Sequence, residues 1–181
     1  MPISANARYG VVAAPGGLEL VQELLNTCAR GITQRTADLL DDAGTAQEWA
    51  DGMLDRLGVP RAAVTPVDIA ALRELRDALR ETLHGRPVPV AEEITVEVGG
   101  DGLVAYGGKG RPSARIRGAV LAEVLLAQAR GEWPRFKLCQ FPPCDLAFYD
   151  GSRNRSARWH DERCGNYVNL ITSRERRRRS S

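Results

Sequence analysis

The stretch that decides the architecture is Cys139-Gln140-Phe141-Pro142-Pro143-Cys144, followed after fifteen residues by His160-Asp161-Glu162-Arg163-Cys164-Gly165. It gathers three of the four cysteines and one of only two histidines. Two close pairs of ligands joined by a longer connection suit tetrahedral zinc, because each pair grips the metal from a tight turn. Pro142 and Pro143 bend the first pair into a knuckle, and Gly165 allows a close turn or helix entry after the last ligand. Three thiolates and one neutral imidazole, from Cys139, Cys144, His160 and Cys164, leave no position for water. The expected cofactor is therefore one structural Zn2+ and not a catalytic one. A disulfide with spare residues and chance clustering are the other readings of these four side chains. The segment is short and polar, so bound metal would supply much of its folding free energy, on the order of 10 kcal/mol.

Charge separates this end from the rest. From Arg135 onward, ten Arg and one Lys stand against five acidic residues, a net of +6, while the preceding residues carry −4 of the overall +2. A basic end on an acidic body suits contact with a polyanion through that end, and equally an exposed, solvated tail. The groups placed to meet phosphate are Arg153, Asn154, Arg155, Ser156 and Arg158 between the two ligand pairs. Arg174, Arg176, Arg177, Arg178 and Arg179 follow the second pair. Arginine offers a planar fork matched to phosphate or to a guanine edge. Tyr167, Val168, Leu170 and Ile171 are read as the start of a helix docked on the knuckle.

Upstream, helical periodicity dominates. Leu18, Val21, Leu24, Leu25 and Cys28 predict a helix over 15–30, with Pro15 in its first turn, Gly31 as its stop and Cys28 as a small core residue. Thr45 and Glu48 have the spacing of a capping box before Trp49, Met53 and Leu57. Thr65, Pro66 and Asp68 open a third helix with a buried stripe of Ile69, Leu72, Leu79 and Leu83, and Arg73 is spaced to pair with Asp77. His84 stands near its end. Ile94, Val96 and Val98 then alternate with polar residues, which predicts a half-buried strand. A turn over 99–102 returns the chain through Leu103 to Tyr106, giving a hairpin. Ile116, Val120, Val124 and Ala127 mark a fourth helix ending at Gly131. The expected fold is mainly α with a small β-hairpin, an α+β arrangement, divided into a helical domain over 1–132 and a zinc module over 133–181.

The 181 residues, 43% hydrophobic and 27% charged, suffice for a buried core. No apolar run is long enough to span a membrane, and the first ten residues lack a signal-peptide pattern, so the expected location is cytoplasmic. Gly107-Gly108-Lys109-Gly110 fails the spacing of a phosphate loop and reads as a flexible turn. No nucleophile elbow, zinc-protease or dinucleotide motif is present, and the expectation is that the protein is not an enzyme.

At Phe136 to Arg179 the sequence resembles the CGNR zinc-finger family. The matching blocks are Cys139 and Cys144, Phe148-Tyr149-Asp150, Ser152-Arg153-Asn154-Arg155-Ser156, Arg158-Trp159 and Cys164-Gly165-Asn166. The third ligand, usually Cys, is His160 here, which keeps a zinc donor. The family's final Arg is Tyr167, which removes one candidate phosphate contact. The upstream part is similar to the ABATE domain, through Leu24-Leu25-Asn26-Thr27, the Trp49 helix and the Leu72 to Leu83 helix. The resemblance implies a mainly bacterial, stress-induced transcription regulator with a sensing or dimerising N-terminal domain and a zinc-bound DNA reader. Double-stranded DNA is the partner it implies, and the apolar helix faces are compatible with a homodimer. A small-molecule ligand of the N-terminal domain is a further expectation. Asn26 and Thr27 read as a buried polar pair capping the helix end, or as ligand contacts. The rival readings are a zinc-stabilised protein-interaction module and an enzyme with its pocket in the N-terminal domain.

Overall fold

A computed structural model describes residues 2–28 and 37–179, with the side chain of Arg179 outside the description. The expected stop at Gly31 therefore lies outside the described residues. The elements are α1 (Leu18–Leu25), α2 (Ala43–Arg56), α3 (Pro66–Leu83), β1 (Thr95–Val98), β2 (Val104–Gly107), α4 (Pro112–Ala129), β3 (Phe136–Leu138), β4 (Ala147–Tyr149) and α5 (Glu162–Arg179). The two sheets are antiparallel pairs, β1 with β2 and β3 with β4. The α+β class with a C-terminal zinc-finger module is the one observed.

Helix α4 occupies the centre. Its sequence is apolar nearly all round, and Ile116, Ala119, Val120, Val124 and Ala127 are buried where α1, α2 and α3 pack on it. Trp49, Met53 and Leu54 of α2, Leu72 and Leu75 of α3 and Leu24 and Leu25 of α1 complete the core. The β3–β4 hairpin contributes Phe136, Leu138 and Ala147 to this same core. A second, smaller cluster of Cys139, Phe141, Cys144, Leu146 and Cys164 lies beneath Trp159 and Val168.

Four local expectations are corrected. Helix α1 is shorter than 15–30: it starts at Leu18, and Asn26–Cys28 tighten into a 3-10 turn, leaving Cys28 half-buried. Helix α2 is capped by Asp42 and not by Thr45. The Asp42 carboxylate accepts from Gly44 N and Thr45 N at 2.9 and 3.0 Å, while Thr45 Oγ1 donates inward to Leu39 O at 2.7 Å. Arg73 pairs with Asp41 at 2.6 Å and reaches Leu40 O, and Asp77 instead accepts from Arg76 at 2.9 Å. The expected hairpin forms, pairing Thr95–Val98 with Val104–Gly107, but its valines face water, Val96 being 65% and Val98 71% exposed. Helix α3 follows its start signal, with Thr65 and Asp68 closing a capping box behind Pro66.

Candidate metal centre

The first ligand pair is presented by the turn between β3 and β4. Cys139 N donates to Leu146 O at 2.8 Å, and Cys144 N to Phe141 O at 2.8 Å, so the knuckle is closed by its own backbone. Asp145 takes a left-handed φ of 53° to leave that turn. The second pair straddles the start of α5. Asp161 Oδ1 accepts from Arg163 N at 2.7 Å, capping the helix, and Cys164 lies in its first turn. A Cβ at Gly165 would meet the Trp159 ring at 3.0 Å, so glycine lets the helix start lie directly on that indole.

The four ligand atoms lie within 4.8 Å of one another. His160 Nδ1 faces the sulfurs, 3.3 Å from Cys144 Sγ and 3.5 Å from Cys164 Sγ. A tetrahedral zinc ion with ordinary Zn–S and Zn–N bonds holds its donors roughly 3.5–3.8 Å apart, so the set fits with little adjustment. The chemistry fits as well. The Cys144 thiol hydrogen-bonds Cys139 and drives its pKa down. That same bond raises Cys144, and burial followed by the Cys139 neighbour raises Cys164. Three thiolates cannot share so small a volume without a cation among them, and a divalent ion supplies it. All four cysteines of the chain are free, so no disulfide competes. With four protein donors and no open position, the centre is a structural zinc site.

Between the ligand pairs, the segment 151–157 is a clamped loop. Asp150 is 1% exposed and accepts from Ser152 N and Ala157 N at 2.9 Å each and from Lys137 Nζ at 2.6 Å. Burial alone would raise its pKa. The Lys137 and Ser152 hydrogen bonds outweigh burial and hold the carboxyl well below the usual range. Lys137 also donates to Arg155 O and Ala157 O, and Arg135 to the carbonyls of Asp150 and Ser152. The loop has no core of its own, yet it is tied at both ends and in the middle.

This places the expected basic residues in two groups. Arg153, Asn154 and Arg155 are exposed on the clamped loop, Arg155 with a positive φ of 54°. Arg158, also exposed, donates to Gln140 at 2.7 Å and stacks over Trp159 at 5.2 Å. Arg174, Arg176, Arg177 and Arg178 lie exposed along the end of α5, while the Arg179 side chain falls outside the described residues. Val168 packs on the knuckle as expected, whereas Leu170 and Ile171 are exposed. Tyr167 rests against Phe141, ring centroids 5.5 Å apart.

Neither the clamping role of Asp150 nor the tie made by Arg80 is among the sequence expectations. Asp150 had a legible signal, since Asp before Gly151-Ser152 favours an Asx turn. Arg80 had none. From α3 it donates to Leu25 O at 2.8 Å and to Asp145 O at 2.7 Å, and it pairs with the Asp145 carboxylate in the knuckle. Asn26 is the buried polar residue expected, but it bonds to β4 as well as lying at the α1 end. Thr27 Oγ1 donates to Leu24 O and accepts from Arg76, so it closes the helix end.

Residues 135–179 match the CGNR zinc finger family. The match begins at the arginine that clasps the loop and contains all four ligands. No curated protein matches the chain. Among the described residues no helix is long and apolar enough to cross a membrane.

Proposed function

We propose that this protein is a transcription regulator whose zinc module contacts double-stranded DNA. The observation that carries the reading is the clamped loop 151–157, which holds Arg153, Asn154 and Arg155 out to solvent from a support fixed by Asp150 and Lys137. Preorganised arginines on a rigid projection lose little conformational entropy on docking. The exposed arginines of α5 extend the same basic end and suit phosphate contacts that set position, leaving the loop side chains free to meet base edges. In this reading residues 1–132 are the sensing or dimerising part and residues 133–181 the reader, working in the cytoplasm without catalysis. The test is a fluorescence titration of the zinc-loaded protein against duplex DNA at two salt concentrations. The expected result is binding that weakens steeply with salt, and a log–log salt slope that falls by about one for each of Arg153→Ala and Arg155→Ala. Absent or salt-insensitive binding removes the reading.

A second reading, a zinc-built protein-interaction module, is favoured by one observation. Tyr167, Leu170 and Ile171 form an exposed apolar stripe on α5. It predicts capture of a protein partner that Leu170→Glu abolishes, with no retained DNA.

A further inference from the structure

Every residue from Phe136 to Gln140 lines one cleft of about 480 Å³, whose other walls are Leu83 and His84 at the end of α3 and Ala157 of the clamped loop. Successive side chains of a strand point to opposite faces, so what these residues share is the backbone edge of β3. The hydrogen-bond phase of the hairpin fixes the groups on that edge. Cys139 N donates to Leu146 O at 2.8 Å and Asp150 N to Arg135 O at 2.7 Å, so Arg135, Lys137 and Cys139 are the residues bonded toward β4. Phe136 and Leu138 turn their N–H and C=O the other way, to the cleft.

The opposite edge of the hairpin has the same phase, and there the chain completes it. Ala147 turns outward from β4, and its N–H and C=O both meet the Asn26 amide. On β3 the chain completes only the two ends. Phe136 N donates to Trp133 O, and Gln140 N donates to Arg158 O at 2.9 Å. Between them stand the Phe136 C=O and both backbone groups of Leu138, to which the described residues bring no partner from that side. Leu138 is 8% exposed, and backbone groups so enclosed are paired in folded proteins. An acceptor, a donor and an acceptor in strand order are what an added strand bonds to.

We propose that the β3 edge takes up an extended acidic segment of a partner protein by strand addition. Running antiparallel, one residue of the segment exchanges both backbone bonds with Leu138, and the residue two further on donates to Phe136 O. Arg158 holds the Gln140 position, so the segment starts beside it and runs toward Pro134. Its two pairing residues share the face of Phe136 and Leu138, where Leu83 packs, and are apolar. The residues on either side of the first pairing residue project to the opposite face. The cleft walls carry His84 and no acidic side chain, the exposed Arg158 stands at the Gln140 end, and the chain from Arg135 onward is net +6, so acids suit those positions. A nucleic-acid backbone matches this edge poorly, because phosphate oxygens accept from the Leu138 N–H but bring no donor to the two carbonyls. The inference does not depend on DNA contact.

Amide hydrogen exchange of the full, zinc-loaded chain, read by NMR, tests it. In the free protein the Leu138 amide is expected to exchange faster than those of Lys137 and Cys139. The probe acetyl-Glu-Val-Glu-Val-Glu-amide, at about 5 mM, is expected to slow Leu138 exchange by about fivefold or more. N-methylation of its first valine, which removes the donor to Leu138 O, is expected to weaken binding by about tenfold. N-methylation of its central glutamate, whose N–H points away from β3, is expected to leave binding unchanged. Acetyl-Lys-Val-Lys-Val-Lys-amide is expected to bind about fivefold more weakly than the acidic probe. A Leu138 amide as protected as its neighbours in the free chain, no slowing by the acidic probe, equal losses from the two methylations, equal binding of the lysine peptide, or protection of Leu138 by duplex DNA in place of the peptide overturns the proposal.

Discussion

Asn26 and Ala147, 121 residues apart, exchange a reciprocal pair of hydrogen bonds: Asn26 Nδ2 donates to Ala147 O at 3.1 Å, and Ala147 N donates to Asn26 Oδ1 at 2.8 Å. The side-chain amide thus acts as a one-residue strand alongside β4. Asn26 Nδ2 also reaches Asn6 Oδ1 at 2.8 Å, and Gln22 Nε2 reaches the same Ala147 carbonyl at 3.2 Å. Removing the amide leaves a buried N–H and weakens a buried C=O in one step. Asn26→Ala is expected to cost about 2–4 kcal/mol in urea unfolding. Asn26→Asp, which keeps the acceptor but not the donor, should recover only part of that loss.

Arg80 is the second tie between the helical body and the knuckle, and it is a charged one. Its guanidinium is buried against Leu25 O while its partner Asp145 is about one-third exposed. Arg80→Ala is expected to destabilise by about 3 kcal/mol, since it strands two carbonyls and a carboxylate. A double-mutant cycle with Asp145→Gly, chosen because glycine accepts the positive φ, should show coupling of about 1 kcal/mol or more. Additive losses would mean that Arg80 acts through the Leu25 and Asp145 backbone carbonyls and not through the Asp145 carboxylate.

These two ties explain what the sequence made legible. The four zinc ligands could be read because a metal selects donor types at short spacings, and both pairs are local. The start of α3 could be read for the same reason, as Thr65 and Asp68 lie within one turn. The docking of β4 on Asn26 could not, because its two halves lie at opposite ends of the chain and neither is distinctive alone. The alternation of Ile94, Val96 and Val98 signalled a strand correctly. It gave no information on burial, which depends on whether another element arrives to cover the face.

Asp68 should contribute to acid sensitivity alongside Asp150. The Asp68 carboxyl is 1% exposed, and burial alone would raise its pKa. Hydrogen bonds from Ser113 at 2.5 Å and from Thr65, together with Arg111, outweigh this and hold it at about 2, against an ordinary 3.8. A carboxyl with a depressed folded-state pKa stabilises the fold fully above its unfolded value and loses that contribution as pH falls through the folded one. Stability should therefore decline from about pH 4 toward pH 2, with about 2 kcal/mol of the loss belonging to this group. Asp68→Asn should flatten that limb in pH-dependent thermal melts while lowering the plateau at neutral pH.

Zinc content should follow the fourth donor rather than its identity. His160→Cys supplies a sulfur in place of Nδ1, the ligand usual in the family this module resembles, and is expected to keep one zinc per chain by native mass spectrometry. His160→Ala is expected to weaken zinc binding by more than about 100-fold, since loss of supporting outer partners alone costs about 10–100-fold. Chelation of the wild type should remove the helical signal of α5 while the core around α4 persists.

Lys137 separates loop rigidity from loop charge. Its ammonium is engaged internally, with Asp150 at 2.6 Å and with the carbonyls of Arg155 and Ala157 at 2.6 and 3.1 Å. It therefore has little to offer a phosphate directly. Lys137→Met keeps the stem but releases the loop and leaves the Asp150 carboxylate without its cation. If DNA contact depends on a preorganised loop, this variant should bind duplex DNA about tenfold more weakly with a nearly unchanged salt slope, because no phosphate contact is deleted. Arg153→Ala should do the opposite in kind, reducing the slope by about one. A Lys137→Met variant that lowers the slope as Arg153→Ala does would place the lysine on the DNA and not beneath the loop.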